Sequence, residues 1–448
     1  MPLAVFILGL AVFAQGTSEF MLSGLLPAIS ADLHVSIAQA GLLTSAFAAG
    51  MVVGAPVLAA ATLRWPRRRA LGLFLLVFAV SHVVAALTPD YGMLLAARIV
   101  SALANAGFWA VAAAAAVAMV PVEVRARALA IVVGGVTLAT VAGVPLGALV
   151  GQLWGWRAAF WGVAALSALS AVAVFAALPA EADRAAPSAR DAGSASGPGG
   201  FANSGPRRPS AVAELRALAD PRLAATYLLN AFVQGATFCT YTFLAPLATE
   251  EAGFGPGAVP VLLVLFGVGS LIGITAGGRL ADAHPVRILW YGAAALITGW
   301  IVLALTAGSG PALVTLILIQ GMLAFGLAPA LTSRAYALAA GAPTLAGAFG
   351  TAAFNVGAAA GPGLGGLAID GGLGYRSPVW VSVALMALAL LTLVWARRLD
   401  RRAVTAVRAG GQERLPGGRE PETAGGVWGR VTIPMTRPDT GRTQDRRP

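Results

Sequence analysis

The stretch Gln15-Gly16-Thr17-Ser18-Glu19-Phe20-Met21-Leu22-Ser23-Gly24-Leu25-Leu26-Pro27 closes an apolar run that begins near residue 3. A second stretch, Gln234-Gly235-Ala236-Thr237-Phe238-Cys239-Thr240-Tyr241-Thr242-Phe243-Leu244-Ala245-Pro246, stands in register with it 219 positions later (234 − 15 = 219). Both open on Gln-Gly and end on proline. The same shift carries Gly50 and Gly54 onto Gly269 and Gly273, and Pro66 and Arg68 onto Pro285 and Arg287. It also carries Gly107 onto Gly326, Gly147 onto Gly366, and Gly155-Trp156-Arg157 onto Gly374-Tyr375-Arg376. With 55 glycines in the chain, single glycine matches say little. The matched proline, glutamine and arginine positions carry the argument that the chain is built from two similar halves.

What the halves are follows from composition. Of 448 residues, 58% are hydrophobic and only 11% charged, where a soluble domain has about 25% charged. Apolar runs of about 20 residues recur, each long enough to cross roughly 30 Å of hydrocarbon as a helix. Strands of a membrane barrel would be about 10 residues long and alternating. The runs predict helices at 3–27, 39–63, 70–88, 92–119, 128–151 and 158–179, then at 223–247, 258–280, 286–307, 311–334, 345–369 and 378–396. The expected fold is an all-α membrane protein of twelve transmembrane helices in two six-helix pseudo-symmetric halves. Residues 1–179 and 223–396 form the halves. Residues 180–222, rich in Ala, Gly, Ser and Pro, read as a flexible linker, and 397–448 as a disordered tail. Two parallel halves joined this way describe a major facilitator transporter.

The net charge is +11, and every basic residue is an arginine. Arg64, Arg67, Arg68 and Arg69 follow the second run, Arg125 and Arg127 the fourth, and Arg287 the eighth. Arg397, Arg398, Arg401 and Arg402 follow the last. Such loops stay in the cytoplasm, which puts both termini and the linker there, in a multi-pass protein of the cell membrane. The basic excess is thus topology and not a nucleic-acid surface. No positive stretch precedes the first run, so it reads as a retained helix, not a signal peptide. The single Cys239 has no internal disulfide partner. His34, His82 and His284 lack metal-ligand spacing, and neither a metal nor a cofactor is expected.

Charge inside the runs is confined to Glu19 and Arg98, at comparable depths from the same membrane face. A charge there costs about 3 kcal/mol or more, so the two are expected to face the interior and pair. Burial favours the neutral acid and a neighbouring guanidinium favours the carboxylate, so the site is suited to exchanging a proton. A fixed structural ion pair is the alternative. Gln15, Asn105, Asn230, Gln234, Tyr241, Gln320 and Asn355, with Phe108, Trp109 and Phe238, are the candidates to line a substrate cavity; interhelical hydrogen bonds are the competing use. The loop Gly278 to Arg287 places Asp282 beside arginines as a gate latch, and its counterpart Arg64–Arg69 lacks the acid. Gly134, Gly135, Gly143, Pro145 and Gly147 allow close helix approach and a kink. No nucleophile–base pair, metal cluster or phosphate loop points to an enzyme.

Gly16-Thr-Ser-Glu-Phe-Met-Leu-Ser-Gly-Leu-Leu-Pro27, Leu94-Leu-Ala-Ala-Arg98, Gly143-Val-Pro-Leu-Gly147 and Trp154-Gly-Trp-Arg-Ala-Ala-Phe160 resemble the twelve-helix drug–proton antiporters of the major facilitator superfamily. Arg64-Trp-Pro-Arg-Arg-Arg-Ala-Leu71 and Ala102-Leu-Ala-Asn-Ala-Gly-Phe108 are similar to the chloramphenicol-resistance exporters within them. The resemblance spans residues 1–396. It implies that Arg98 serves proton coupling and that Gly135, Gly143, Pro145 and Gly147 belong to the antiporter motif. Val144 stands where that motif has glycine, and the first gate loop lacks Gly-x-x-x-Asp. The implied activity is proton-coupled export of a small amphipathic drug, chloramphenicol first, by a monomer in the lipid bilayer. Export of a sugar or nucleoside is the alternative.

Overall fold

The computed structural model of the chain describes residues 1–62, 65–178, 220–339 and 343–412, and among them all regular structure is helical. The first half contains α1 (Leu3–Gly24), α2 (Ile37–Ala61), α3 (Arg67–Leu87), α4 (Tyr91–Ala118), α5 (Arg127–Trp154) and α6 (Trp156–Ala177). The second contains α7 (Pro221–Thr242), α8 (Ala258–Ala283), α9 (Pro285–Thr306), α10 (Gly310–Leu338), α11 (Ala346–Leu373) and α12 (Ser377–Gln412). Proline and glycine delimit most of them, as their backbone chemistry requires. Arg64 and the expected linker lie outside the described residues, apart from the start of α7.

Eleven of the twelve are long and apolar enough to cross a membrane. The exception is α7, which carries Thr226, Asn230, Gln234, Thr237 and Thr240. It is wrapped by protein: every residue from Val233 to Ala248 is buried. A second departure is α12, which continues past Arg397 where a disordered tail was expected. Its extension is held by contacts: Asp400 forms a buried ion pair with Arg334 of α10 at 3.0 Å, and Arg397 lies over the Trp290 ring.

The duplication is visible in the contacts. Asp32 pairs with Arg157 and Glu251 with Arg376, and both members move by 219 (251 − 32 and 376 − 157). Gly50 meets the Ile99 carbonyl and Gly54 meets Leu103; Gly269 meets the Leu318 carbonyl and Gly273 meets Met322, again 219 positions on. Gly155 and Gly374 take the same positive φ, 83° and 74°, at the same turn.

Glycine seams join helices closely. On α5, a methyl group at Gly135 would collide with the Gly9 carbonyl, and one at Gly143 with the Thr17 hydroxyl of α1. Gly147 faces Met21. Between them α5 forms a π-turn, Ala139–Gly143, which takes up the register shift that Pro145 imposes.

The halves meet through α1 and α7, α5 and α8, and α2 and α11. Phe20 of α1 stacks on Phe238 of α7, with ring centroids 5.4 Å apart. Gly267 of α8 abuts the backbone of Thr140, Gly366 of α11 abuts Ala38 of α2, and Gln152 donates to the Pro256 carbonyl at 2.6 Å.

Candidate transport site

Arg98 is 1% exposed, in the middle of the first half. Its Nη1 donates to the Ser18 hydroxyl at 2.9 Å and to the Ser18 carbonyl at 3.2 Å. Its guanidinium lies 4.3 Å from the Phe47 ring centroid, a cation–π contact. Nε and Nη2 have no hydrogen-bond partner among the described residues.

The Ser18 hydroxyl has a second partner, His82 Nε2 of α3, at 2.5 Å. His82 Nδ1 lies 2.7 Å from the Phe78 carbonyl, which can only accept, so Nδ1 carries the hydrogen. In the neutral ring Nε2 then accepts from Ser18, and the serine oxygen accepts from Arg98. The chain of hydrogen bonds runs from Arg98 to Ser18 to His82 and ends on the Phe78 carbonyl, crossing from α4 to α1 to α3. Phe78 and Phe160 wall the ring in at 4.3 and 5.7 Å. A charged ring would set two cations on one hydroxyl.

Glu19 follows Ser18 and is partly buried. Among the described residues it forms no ion pair within 4 Å, so the expected direct pair with Arg98 is absent in this conformation. The arginine instead holds the adjoining residue of α1. Neither Ser18 nor His82 was singled out from the sequence, although a histidine inside an apolar run was the available signal.

The other candidates separate into groups. Gln15 and Asn105 are fully buried in the first half, their side-chain amides unpartnered among the described residues. Phe108 belongs to the first-half core with Phe74, and Trp109 packs at its edge. Phe238 stacks across the interface, and Tyr241 makes an edge contact with it at 6.1 Å. Asn230 and Gln234 line a cavity of about 280 Å³ among α7, α10 and α11. Asn355 donates within its own helix to Thr351. Gln320 does not join these groups: its amide donates to the Leu296 carbonyl, tying α10 to α9. Of the gate-loop residues, Asp282 and Arg287 are exposed and form no ion pair with a described residue, whereas Arg68 donates to the Phe175 carbonyl at the end of α6. Gly278 faces open space. Among the described residues there is no cluster of three metal ligands.

Two six-helix halves that repeat in sequence and in contacts, with buried polar groups at their centre, define a secondary-transporter fold. The sequence profile of the Major Facilitator Superfamily matches residues 8–352 and 226–433, and the chain belongs to that family. It is 47% identical over 391 residues to a chloramphenicol resistance protein of Streptomyces lividans, covering 87% of this chain and 95% of that one. It is 32% identical over 397 residues to the inner membrane transport protein YdhP of Escherichia coli K12, covering 89% and 96%. A solved structure of a bacterial homologue of the human lysosomal transporter Spinster, inward-facing and unoccupied, has the same fold. Its TM-score is 0.70 at 19% identity, covering 89% of this chain and 96% of that chain.

Proposed function

We propose that the chain is a proton-coupled exporter of a small amphipathic drug, with chloramphenicol the first candidate cargo. The observation that carries the coupling is the half-satisfied Arg98: one face held by Ser18, two buried nitrogens, Nε and Nη2, without an acceptor among the described residues. A buried guanidinium in lipid requires acceptors. Glu19 is the acid next to Ser18, the residue that Arg98 holds.

Deprotonated, Glu19 moves to the open N–H groups of Arg98 and draws α1 toward α4. Protonated, it leaves, and Arg98 stays with Ser18 and His82 as seen here. Movement of α1 is transmitted because α5 grips it through Gly135, Gly143 and Gly147. The 3₁₀ segment Met21–Gly24 directly after Glu19 supplies a place for α1 to bend. The arginines at the starts of α3, α5 and α9 lie at the end of the bundle where α6 stops and α7 begins, which the positive-inside rule assigns to the cytoplasm. On this reading the conformation is the one that loads cargo from the cytoplasm.

The drug assignment is supported by the 47% identity with the Streptomyces lividans protein. Cells expressing the chain should tolerate chloramphenicol, and a protonophore should abolish the tolerance. Glu19→Gln should lower proton-driven efflux at least tenfold with normal amounts of protein in the membrane. Retained efflux in that variant would remove Glu19 from the mechanism. The hydroxyl-lined cavity also suits a sugar or nucleoside, and competition for efflux in inverted vesicles separates these cargoes.

A further inference from the structure

A groove of about 400 Å³ lies among α8, α9 and α10, beside the start of α9. Ala276 and Gly277 of α8 and Gly292 and Ala295 of α9 form its walls, and Leu323 and Leu327 of α10 lie behind them. Leu280, Tyr291, Ala276 and Ala295 are exposed along its edges while the α10 residues are not, so it opens outward, toward the bilayer. Among the residues that line it, only His284, Arg287 and Tyr291 carry nitrogen or oxygen in their side chains. Arg287 is exposed at the mouth and forms no ion pair with a described residue. Arg279 and Asp282, exposed in the turn before it, carry opposite formal charges, so Arg287 leaves the rim cationic. From Arg287 to Ala295 the α9 wall rises eight residues (295 − 287 = 8), about 12 Å, close to the roughly 15 Å of hydrocarbon in one leaflet.

The duplication supplies an internal comparison. Moved back by 219, Ala276, Gly277, Gly292 and Ala295 become Val57, Leu58, Leu73 and Leu76, a larger side chain at every position. Arg287 becomes Arg68, whose guanidinium donates to the Phe175 carbonyl and stands 6.0 Å from the centroid of that ring. The first half therefore fills these positions with its own side chains and engages its arginine within the protein. The fold does not require the opening in the second half, nor an arginine left facing out of it.

We infer that this groove is a binding site for one anionic glycerophospholipid of the cytoplasmic leaflet, with an acyl chain lying between α8 and α9 and the phosphate on Arg287. Walls of carbon give water no partners, so hydrocarbon fills the slot. The cationic rim decides which lipid supplies it, because a guanidinium at the cytoplasmic surface attracts anionic headgroups. A soluble anion would leave the slot unused, and an uncharged apolar molecule would leave Arg287 unused. The site is separate from the Arg98 network and independent of the cargo.

The test titrates lipid into the purified, delipidated full chain in detergent and counts bound molecules by native mass spectrometry. The probes are dioleoylphosphatidylglycerol, dioleoylphosphatidylcholine with the same chains and no net charge, and glycerol 3-phosphate, a headgroup without chains. Phosphatidylglycerol should bind about fivefold more tightly than phosphatidylcholine, and glycerol 3-phosphate should not displace it. Arg287→Gln, a change at an exposed side chain, should erase that preference and leave phosphatidylcholine binding as it was. The double variant Ala276→Val/Ala295→Leu, which copies the first half, should weaken both lipids about tenfold, with melting temperature matched to the parent protein. Equal affinity for the two lipids in the parent protein, an unchanged preference in Arg287→Gln, or full displacement by glycerol 3-phosphate would overturn the site. So would a dimer of the chain that the double variant dissolves, since a second copy would then be the occupant.

Discussion

A hydroxyl shared between a guanidinium and an imidazole is the most informative residue-scale feature. Ser18 can accept from Arg98 only while its own hydrogen points elsewhere, and His82 Nε2 takes that hydrogen. Replacing His82 with leucine leaves the serine proton without an acceptor in a dry site, a cost of about 1–3 kcal/mol. His82→Leu should therefore loosen Arg98 and shift the pH profile of efflux, whereas His82→Gln, whose amide oxygen can accept, should keep most of the activity. Identical pH profiles for the two variants would show that the histidine only fills space. This network was not legible in the sequence. Residues 18, 82 and 98 become neighbours only once α1, α3 and α4 pack, and periodicity says nothing about which helix faces which. Glu19 and Arg98 stood out because charge in hydrocarbon is rare; the partner that Arg98 takes was decided by packing. At the membrane edge, Asp32 offers a different test. The hydrogen bond from Arg157 is the main cause holding its carboxyl below the ordinary carboxylate range. Its stabilisation is thus present above about pH 4, the unfolded value, and fades as pH falls through the lowered folded one. With both side chains more than a third exposed, the pair is worth about 0.5 kcal/mol after screening. Asp32→Asn should lower the melting temperature slightly at pH 7 and by less at pH 3; an equal effect at both would deny the ion pair a role.

At the scale of elements, the apolar runs announced their own ends. Thr62, Leu87, Ala118 and Trp154 stop helices within a few residues of the expected positions because proline, glycine or charge follows. The last helix is the exception. Its extension is polar in composition, and only the three-dimensional structure brings Asp400 to Arg334, with side chains 7% and 4% exposed. Breaking a buried pair costs about 3–5 kcal/mol when one charge remains. Asp400→Ala should lower the melting temperature clearly in thermal-shift measurements, while removing residues after 412 should leave it unchanged. The outcome that contradicts this is a silent Asp400→Ala.

For the molecule as a whole, the repeat was readable from one shift of 219, and the paired ion bridges and glycine contacts obey the same number. The relative placement of the halves was not readable, since it depends on side chains meeting across an interface with no sequence signature. That placement can be locked. A Cβ at Gly363 of α11 would lie 3.6 Å from the Ser45 hydroxyl oxygen of α2, within reach of a disulfide. The one native cysteine, Cys239, is buried and leaves little background. Oxidised Ser45→Cys/Gly363→Cys protein should still bind cargo from the linker side yet stop exporting it, and dithiothreitol should restore export. Export by the oxidised, fully cross-linked protein would mean that these helices never part.

The polar α7 has a consequence for how the protein is made. Partitioning of a nascent segment into lipid is governed by its own side chains, and Asn230, Gln234 and the threonines tax that step heavily. Their environment in the finished protein is supplied by α10, α11 and α12, which leave the ribosome later. The seventh segment therefore waits, beside the insertion machinery or at the bilayer surface, until its downstream neighbours arrive. Assembly of the second half is in this sense written backwards, from its carboxyl end toward its start.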